Sequence, residues 1–383
     1  MNHNDVFNKI DELYSDYLGV WRDVCSIESP TKYKEGVDRV GDFFLNMAKA
    51  RGWKTDVLLQ SVAGNVIAIT INESSDAAPI ALSAHMDTVH PVGFFGNTPV
   101  KFDEEKIYGP GVTDCKGGAV ACFLAMDALS KCGFTKRLVT LYLQSDEEVG
   151  SSISNKETIN WICEKAKGSV AFLNTEGAHE GAIILSCKGI LRYEITVHGV
   201  AKHSSSCTKA SNAVAEAAYK IIELEKMKDA DGITCNCGVI HGGTAPNSVA
   251  DLCVFTADIR FSNNKEEMTA ERKVMDIINN ITVPGCSCEA KLLSRRPAME
   301  YCQRNKELFE KINKINTKVG LPTLSESNFL GGSDAAYVTE AGIPCVEGMG
   351  VLGGEIHSIN EYAFQNSLSD AAKRMAAIIL YIQ

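Results

Sequence analysis

The chain has 383 residues, 45% hydrophobic and 22% charged, with a formal net charge of −10. That length suits two domains or one large one with a sizeable core. The acidic balance, with no block of Lys and Arg to track phosphates, excludes nucleic acid as an expected partner.

From the N-terminus, Val6, Phe7, Ile10, Leu13, Leu18, Trp21 and Val24 recur at helical steps. This opening has no apolar core of the signal-peptide kind. A second amphipathic helix carries Val37, Val40, Phe43, Phe44 and Met47 and ends near Gly52, before strands at Asn65–Ile71 and Ile80–Ala84. A helix then starts after Asp114, which reads as its N-cap. It includes the most apolar run of the chain, Ala119–Leu129, which Asp127 interrupts and which falls short of the roughly 18 residues that span a bilayer. No membrane partner is expected. The strand Leu138–Leu143, a helix near Thr158–Lys167 and the strand Val170–Leu173 follow. Strands apolar on both faces, alternating with helices, predict an α/β fold with a mixed, largely parallel sheet covered by helices.

The pattern changes at GILRYEITVHGV, an alternating strand with Leu191, Tyr193, Ile195 and Val197 on one face. Next come helix Asn212–Met227, strands Ile233–Ile240 and Ser248–Phe261, helix Glu266–Ile281 and strand Ser287–Leu293. The order β-α-β-β-α-β predicts an inserted ferredoxin-like α+β domain over 189–296. Residues 1–188 and 297–383 then share one sheet, completed by helix Lys306–Val319, strand Ile343–Glu347 and helix Ser369–Ile382. Fourteen cysteines with no export signal point to thiols in a reducing cytoplasm. Cys122, Cys163 and Cys253 sit in apolar patterns as small buried hydrophobes. The pairs Cys235/Cys237 and Cys286/Cys288 would make a four-thiolate zinc site only if their two strands were neighbours.

Chemistry concentrates where apolar strands run out. ALSAHMDTVHP delivers His85 and Asp87 on one side: a satisfied pair, or a metal ligand whose other ring nitrogen is oriented by the acid. YGPGVTDCKGG delivers Asp114, a cap or a carboxylate able to bridge two cations. LQSDEEVGSS places Asp146, Glu147 and Glu148 at a strand end. They read as a solvated turn, or as an extended stretch whose two glutamates project oppositely, one to metal and one free. VAFLNTEG adds Glu176 and GGEIHSINEY adds His357. In a parallel α/β sheet such ends gather in one crevice. Two histidines with three carboxylates form an N/O donor set suited to zinc, or to cobalt or manganese.

HMDTV, GPGVTDCKGG, SDEEVGS, GGTAPNSV, GGSDA and EGMGVLGGEIHSINEY, in this order, resemble the dinuclear zinc family of glutamate carboxypeptidase, acetylornithine deacetylase, succinyl-diaminopimelate desuccinylase and aminoacylase. The match spans nearly the whole chain. The resemblance implies a zinc-exopeptidase-like catalytic domain with 189–296 as a lid and dimerisation domain. It implies two Zn2+ bridged by Asp114, one completed by His85 and Glu176, the other by Glu148 and His357. Asp87 would orient the ligands, and Glu147 would be the general base. His203 in HGVAKHSS would stabilise the developing oxyanion across a dimer interface. Asn247, Arg260 and the loop Gly331, Gly332 and Ser333 would bind substrate. The implied reaction is hydrolysis of the amide bond of a dipeptide, short peptide or N-acyl amino acid with a free carboxylate. The ending EGMGVLGGEIHS leans toward the carboxypeptidase branch. A deacylase of acetylornithine or succinyl-diaminopimelate is the alternative, and an inactive metal-binding or scaffold protein is the rival from another class. Two departures from the family pattern, Cys115 after the bridging Asp and a Glu176 not followed by Pro, leave every ligand in place.

Overall fold

The computed structural model describes residues 1–383 apart from Ser74, Asp76, Ala230 and Asp231. The chain divides into two units. Met1–Leu185, Tyr301–Asn328 and Ser333–Gln383 form the first, and Ser186–Glu300 with Phe329–Gly332 the second.

In the first unit the strands Val139–Gln144, Ile80–His85, Ala171–Asn174 and Cys345–Val346 lie side by side and parallel. Val66–Ile71 adds to Val139–Gln144 antiparallel, and Lys54–Leu58 closes that edge. The mixed, largely parallel sheet read from the sequence is therefore present. The edge strand KTDVL has no counterpart among the expected elements. Its polar, half-exposed pattern gives no apolar signal, and pairing with Val66–Ile71 is what makes it a strand.

Helix Lys116–Lys131 lies against the sheet, and every residue from Lys116 to Leu129 is buried. The first helix, His3–Cys25, and the last, Ser367–Tyr381, both pack on it. Its small first turn is a packing requirement. A Cβ on Gly118 would stand 2.0 Å from the Thr175 carbonyl oxygen, so any side chain there would push the helix off the sheet. Asp127 is sustained inside this apolar helix by partners. Its Oδ2 accepts from the Tyr17 hydroxyl and from Arg51 Nη2, each at 2.8 Å, and Lys131 pairs with its other oxygen. Among the described residues no helix is long and apolar enough to cross a membrane.

The second unit is a four-stranded antiparallel sheet in the order Thr234–Gly242, Leu252–Phe261, Gly189–His198, Ser287–Arg296. This is the strand order of a ferredoxin-like unit, as the β-α-β-β-α-β reading expects. Leu191, Tyr193, Ile195 and Val197 share its core with Ala213, Ala217 and Leu224 of one helix and Ala270, Val274 and Ile278 of the other. The same order rules out the four-thiolate site. The strands bearing Cys235/Cys237 and Cys288 are opposite edges of the sheet, with two strands between them.

Candidate metal centre

Because four neighbouring strands run parallel, their C-terminal ends fall on one edge. Register sets His85 beside Gln144 and Ser83 beside Asn174, so His85, the acidic triplet and Glu176 leave the sheet together. Asp114 arrives differently. It follows the short strand Lys106–Tyr108 of a separate antiparallel sheet through a glycine-rich loop. Nor is it the helix cap. The cap position is Cys115, and the Asp114 carboxylate turns to the histidines. His357 also comes from a loop, in left-handed conformation with φ 62°, between the strands Gly353–Gly354 and Tyr362–Phe364.

The five expected ligands converge. His85 Nε2 lies 2.9 Å from Asp114 Oδ1 and 3.6 Å from Glu176 Oε1. His357 Nε2 lies 3.1 Å from Asp114 Oδ2 and 3.2 Å from Glu148 Oε2. Each oxygen of Asp114 thus faces a different imidazole, and each imidazole has its own glutamate. Ligand atoms of His85, Asp114 and Glu148 all lie within 4.8 Å of one another, as do those of His85, Cys115 and Glu176. The Cys115 thiol is buried and donates to the Thr175 carbonyl at 3.1 Å.

His85 Nδ1 is held by the Asp87 backbone carbonyl at 3.0 Å, with the Asp87 carboxylate at 3.3 Å. The side chain of Asp87 works mainly elsewhere. It accepts the Glu147 and Glu148 N–H groups at 3.2 Å each and the Thr31 hydroxyl at 2.8 Å. Those two N–H groups belong to a short 3-10 turn, Glu147–Val149, where an extended stretch was expected. Successive side chains in such a turn diverge by about a third of a revolution. Glu148 therefore reaches His357, while Glu147 keeps its own direction, close enough to Glu176 and Glu347 to raise both their pKa values.

Electrostatics fit a cation site. Burial is the largest cause pushing Glu148, Glu176 and Glu347 up to about 8 each, and neighbouring acids add to it. Hydrogen bonds with Asp114 and Glu148 raise His357 to about 10. Burial also opposes charge on Asp114, yet His357 and His85 outweigh it and hold that carboxyl far below the usual range. Buried acids that repel one another around two imidazoles are the environment a divalent cation relieves. The donors are nitrogen and oxygen atoms of the kind zinc, cobalt and manganese take.

The remaining expected residues divide between the units. In the second, His203 and Asn247 are exposed neighbours: the Ser204 N–H donates to the Asn247 carbonyl at 2.9 Å, and His203 bridges to Ser248. Arg260 is half-buried, its Nε 2.6 Å from Asp258 Oδ1. Gly331 and Gly332 belong to this unit, whereas Ser333 belongs to the first. Ser333 is only 2% exposed, and its hydroxyl donates to Glu347 Oε2 at 2.8 Å, so it supports the loop from within instead of lining a surface.

Two acids escaped the sequence reading. Glu347 ends the strand Cys345–Val346 and accepts from Asn174 Nδ2 at 2.8 Å. The signal that marked the other acids, a carboxylate where an apolar strand stops, was present in PCVEG. Glu361 is buried beside the Asp114 loop, and nothing in HSINEY distinguishes it locally.

Comparison with known proteins identifies the family of the chain. The model of peptidase family M20/M25/M40 matches residues 81–381. Carboxypeptidase G2 of Pseudomonas sp. (strain RS-16) is 25% identical over 341 residues, 88% of this chain and 81% of that protein. Succinyl-diaminopimelate desuccinylase of Rickettsia rickettsii (strain Sheila Smith) is 26% identical over 389 residues, 94% and 97% of the two chains. The crystal structure of aminopeptidase PepT from Bacillus cereus ATCC 10987 shares the fold, with TM-score 0.77 and 20% identity over 96% of this chain and 98% of that one. The chain belongs to peptidase family M20/M25/M40 and is a metal-dependent hydrolase of the metallopeptidase and amidohydrolase kind.

Proposed function

We propose that this protein is a two-zinc hydrolase that cleaves the amide bond of a dipeptide, short peptide or N-acyl amino acid with a free carboxylate. The observation that carries the reading is Asp114, whose two oxygens meet His85 at 2.9 Å and His357 at 3.1 Å. In it, Asp114 would be shared by two cations, His85 and Glu176 would complete one site, and Glu148 and His357 the other. Bound cations in such a site supply Lewis acidity, making a water more acidic and polarising the scissile carbonyl.

The rest is the work of side chains. Glu147 takes the water's proton on its carboxylate and returns it to the leaving amine. Asp87 keeps Glu147 and Glu148 apart in function by holding both backbone N–H groups. His203 donates to the oxygen on which negative charge develops. Arg260, its guanidinium oriented by Asp258, and Asn247 receive the substrate carboxylate, with Gly331 and Gly332 lining the cleft.

The test is a panel of dipeptides and N-acyl amino acids assayed with the zinc-loaded protein. Faster hydrolysis of dipeptides and of acyl-glutamates supports the carboxypeptidase reading. Rates confined to acetylornithine or succinyl-diaminopimelate would move the protein to the deacylase alternative, and a zinc-loaded protein inert on every substrate would overturn both.

The second unit, residues 189–296 in the sequence reading, serves as lid and dimerisation domain in this proposal. Support comes from its sheet edge at Thr234–Gly242, where Val239 and Ile240 are exposed, and from Tyr219 and Ile222 exposed on the helix Ala213–Glu225. An open strand edge bearing apolar side chains is a template for pairing with a second copy. If His203 acts across that dimer, coexpressed Glu147→Gln and His203→Ala chains regain activity although each alone is impaired. The expected level is about a quarter of wild type, because half the dimers are mixed and each mixed dimer has one intact site. Mixing without any gain would place His203 in its own subunit's chemistry or outside the reaction. Fourteen free thiols support a cytoplasmic location.

A further inference from the structure

We propose that Glu361 is the positioning residue that presents Asp114 to the two cations, an inference that rests on the two-cation reading above. Glu361 is 1% exposed. Its carboxylate collects three backbone donors from the loop that ends in Asp114: Gly111 N–H at 3.0 Å on Oε2, Thr113 N–H at 2.9 Å and Asp114 N–H at 3.1 Å on Oε1. Its own carbonyl accepts from Gly109 at 3.2 Å, and the next carbonyl, Tyr362, accepts from the Thr113 hydroxyl at 2.6 Å. Segment 109–114 is thereby bound to residues 361 and 362 through four N–H groups, those of Gly109, Gly111, Thr113 and Asp114, and through the Thr113 hydroxyl. The left-handed φ of 72° at Gly111 lets the chain curl so that its N–H points to the same acid as those of Thr113 and Asp114.

Three N–H groups converging on one point are matched by an acceptor with two oxygens, which among side chains a carboxylate supplies. Glutamine would turn its NH2 toward at least one of these N–H groups. The same carboxylate faces a histidine on another loop. His90 Nε2 is 3.6 Å from Oε2, and the His90 ring stacks on Phe94 at 5.3 Å. His90 lies five residues after His85 in HMDTVH. Glu361 therefore stands between the loop that carries the bridging acid and the loop that follows a ligand histidine. The Asp114 side chain, with one oxygen on each imidazole, can keep both distances only while its backbone is held. Asp87 does the corresponding work for the glutamate turn through the N–H groups of Glu147 and Glu148.

The experiment compares zinc affinity of the full-length wild type, Glu361→Gln and Glu361→Asp by chelator competition, at a temperature where circular dichroism shows each folded, together with the visible spectrum of the cobalt-loaded forms. Expected is a loss of about 10–100-fold in affinity for both cations in Glu361→Gln, the range for partners that orient metal ligands, with an altered cobalt spectrum. Glu361→Asp, which keeps the charge on a shorter arm, shifts in the same direction and carries the test if the glutamine variant does not fold. A folded variant with a lower melting temperature but unchanged zinc affinity and cobalt spectrum makes Glu361 merely structural and overturns the inference alone. A wild type that takes up no zinc overturns the two-cation reading and this inference with it.

Discussion

Asp114→Ala protein is expected to retain neither cation through desalting and to show no measurable hydrolysis. The reason is the sharing of one carboxylate between two sites: its oxygens lie 2.9 Å from His85 and 3.1 Å from His357, so a single truncation removes a ligand from each. The loss should exceed the roughly 10–100-fold typical of residues that only orient ligands. Metal content by mass spectrometry checks the first half. A hydrolysis assay checks the second, and thermal unfolding checks binding independently, because a ligand that binds only the folded state at about 100 times its dissociation constant adds about 2.7 kcal/mol. Added zinc should raise the wild-type midpoint and leave that of Asp114→Ala where it was. Two tightly held zinc ions in Asp114→Ala would remove the bridge from the proposal and with it the pairing of ligands into two sites.

Glu147→Gln should separate chemistry from binding. The substitution leaves the backbone N–H of residue 147 on Asp87 and the Glu148 carboxylate on His357, so the ligand set is untouched. What disappears is the proton acceptor. Turnover should fall by about 10²–10⁴-fold, the usual contribution of a positioned general base, with zinc content unchanged and KM shifted little. Such a change in kcat alone is the mark of a group that acts in the transition state. A variant with wild-type kcat would assign the base to another residue, and loss of zinc would make Glu147 a ligand.

Much of this site was legible in the sequence because one simple pattern recurs. Ile80–His85, Val139–Gln144 and Ala171–Asn174 are apolar runs that stop at a polar residue, and parallel strands deliver their ends to one edge. The β-α-β-β-α-β order of the second unit was equally readable, because an alternating strand such as Leu191–Val197 declares which face it buries. Each of these signals is local: periodicity along a few residues reports the environment of those same residues.

The tertiary structure decided what depends on distant segments. Asp114 reads locally as a helix cap, and only the approach of His85 and His357 makes it a shared partner of both. The two Cys-x-Cys pairs look like one site until the sheet order separates their strands. Ser333 proved to be an internal support for Glu347. Glu361 lies 247 positions from the Asp114 N–H it holds, in a stretch with no periodicity of its own. The sequence by itself determined the main helices and apolar strands, the faces they bury and most of the acids and histidines that stand at strand ends. Which loops meet was settled by long-range strand pairing and helix packing, since those contacts, unlike periodicity, leave no trace within a few residues of chain.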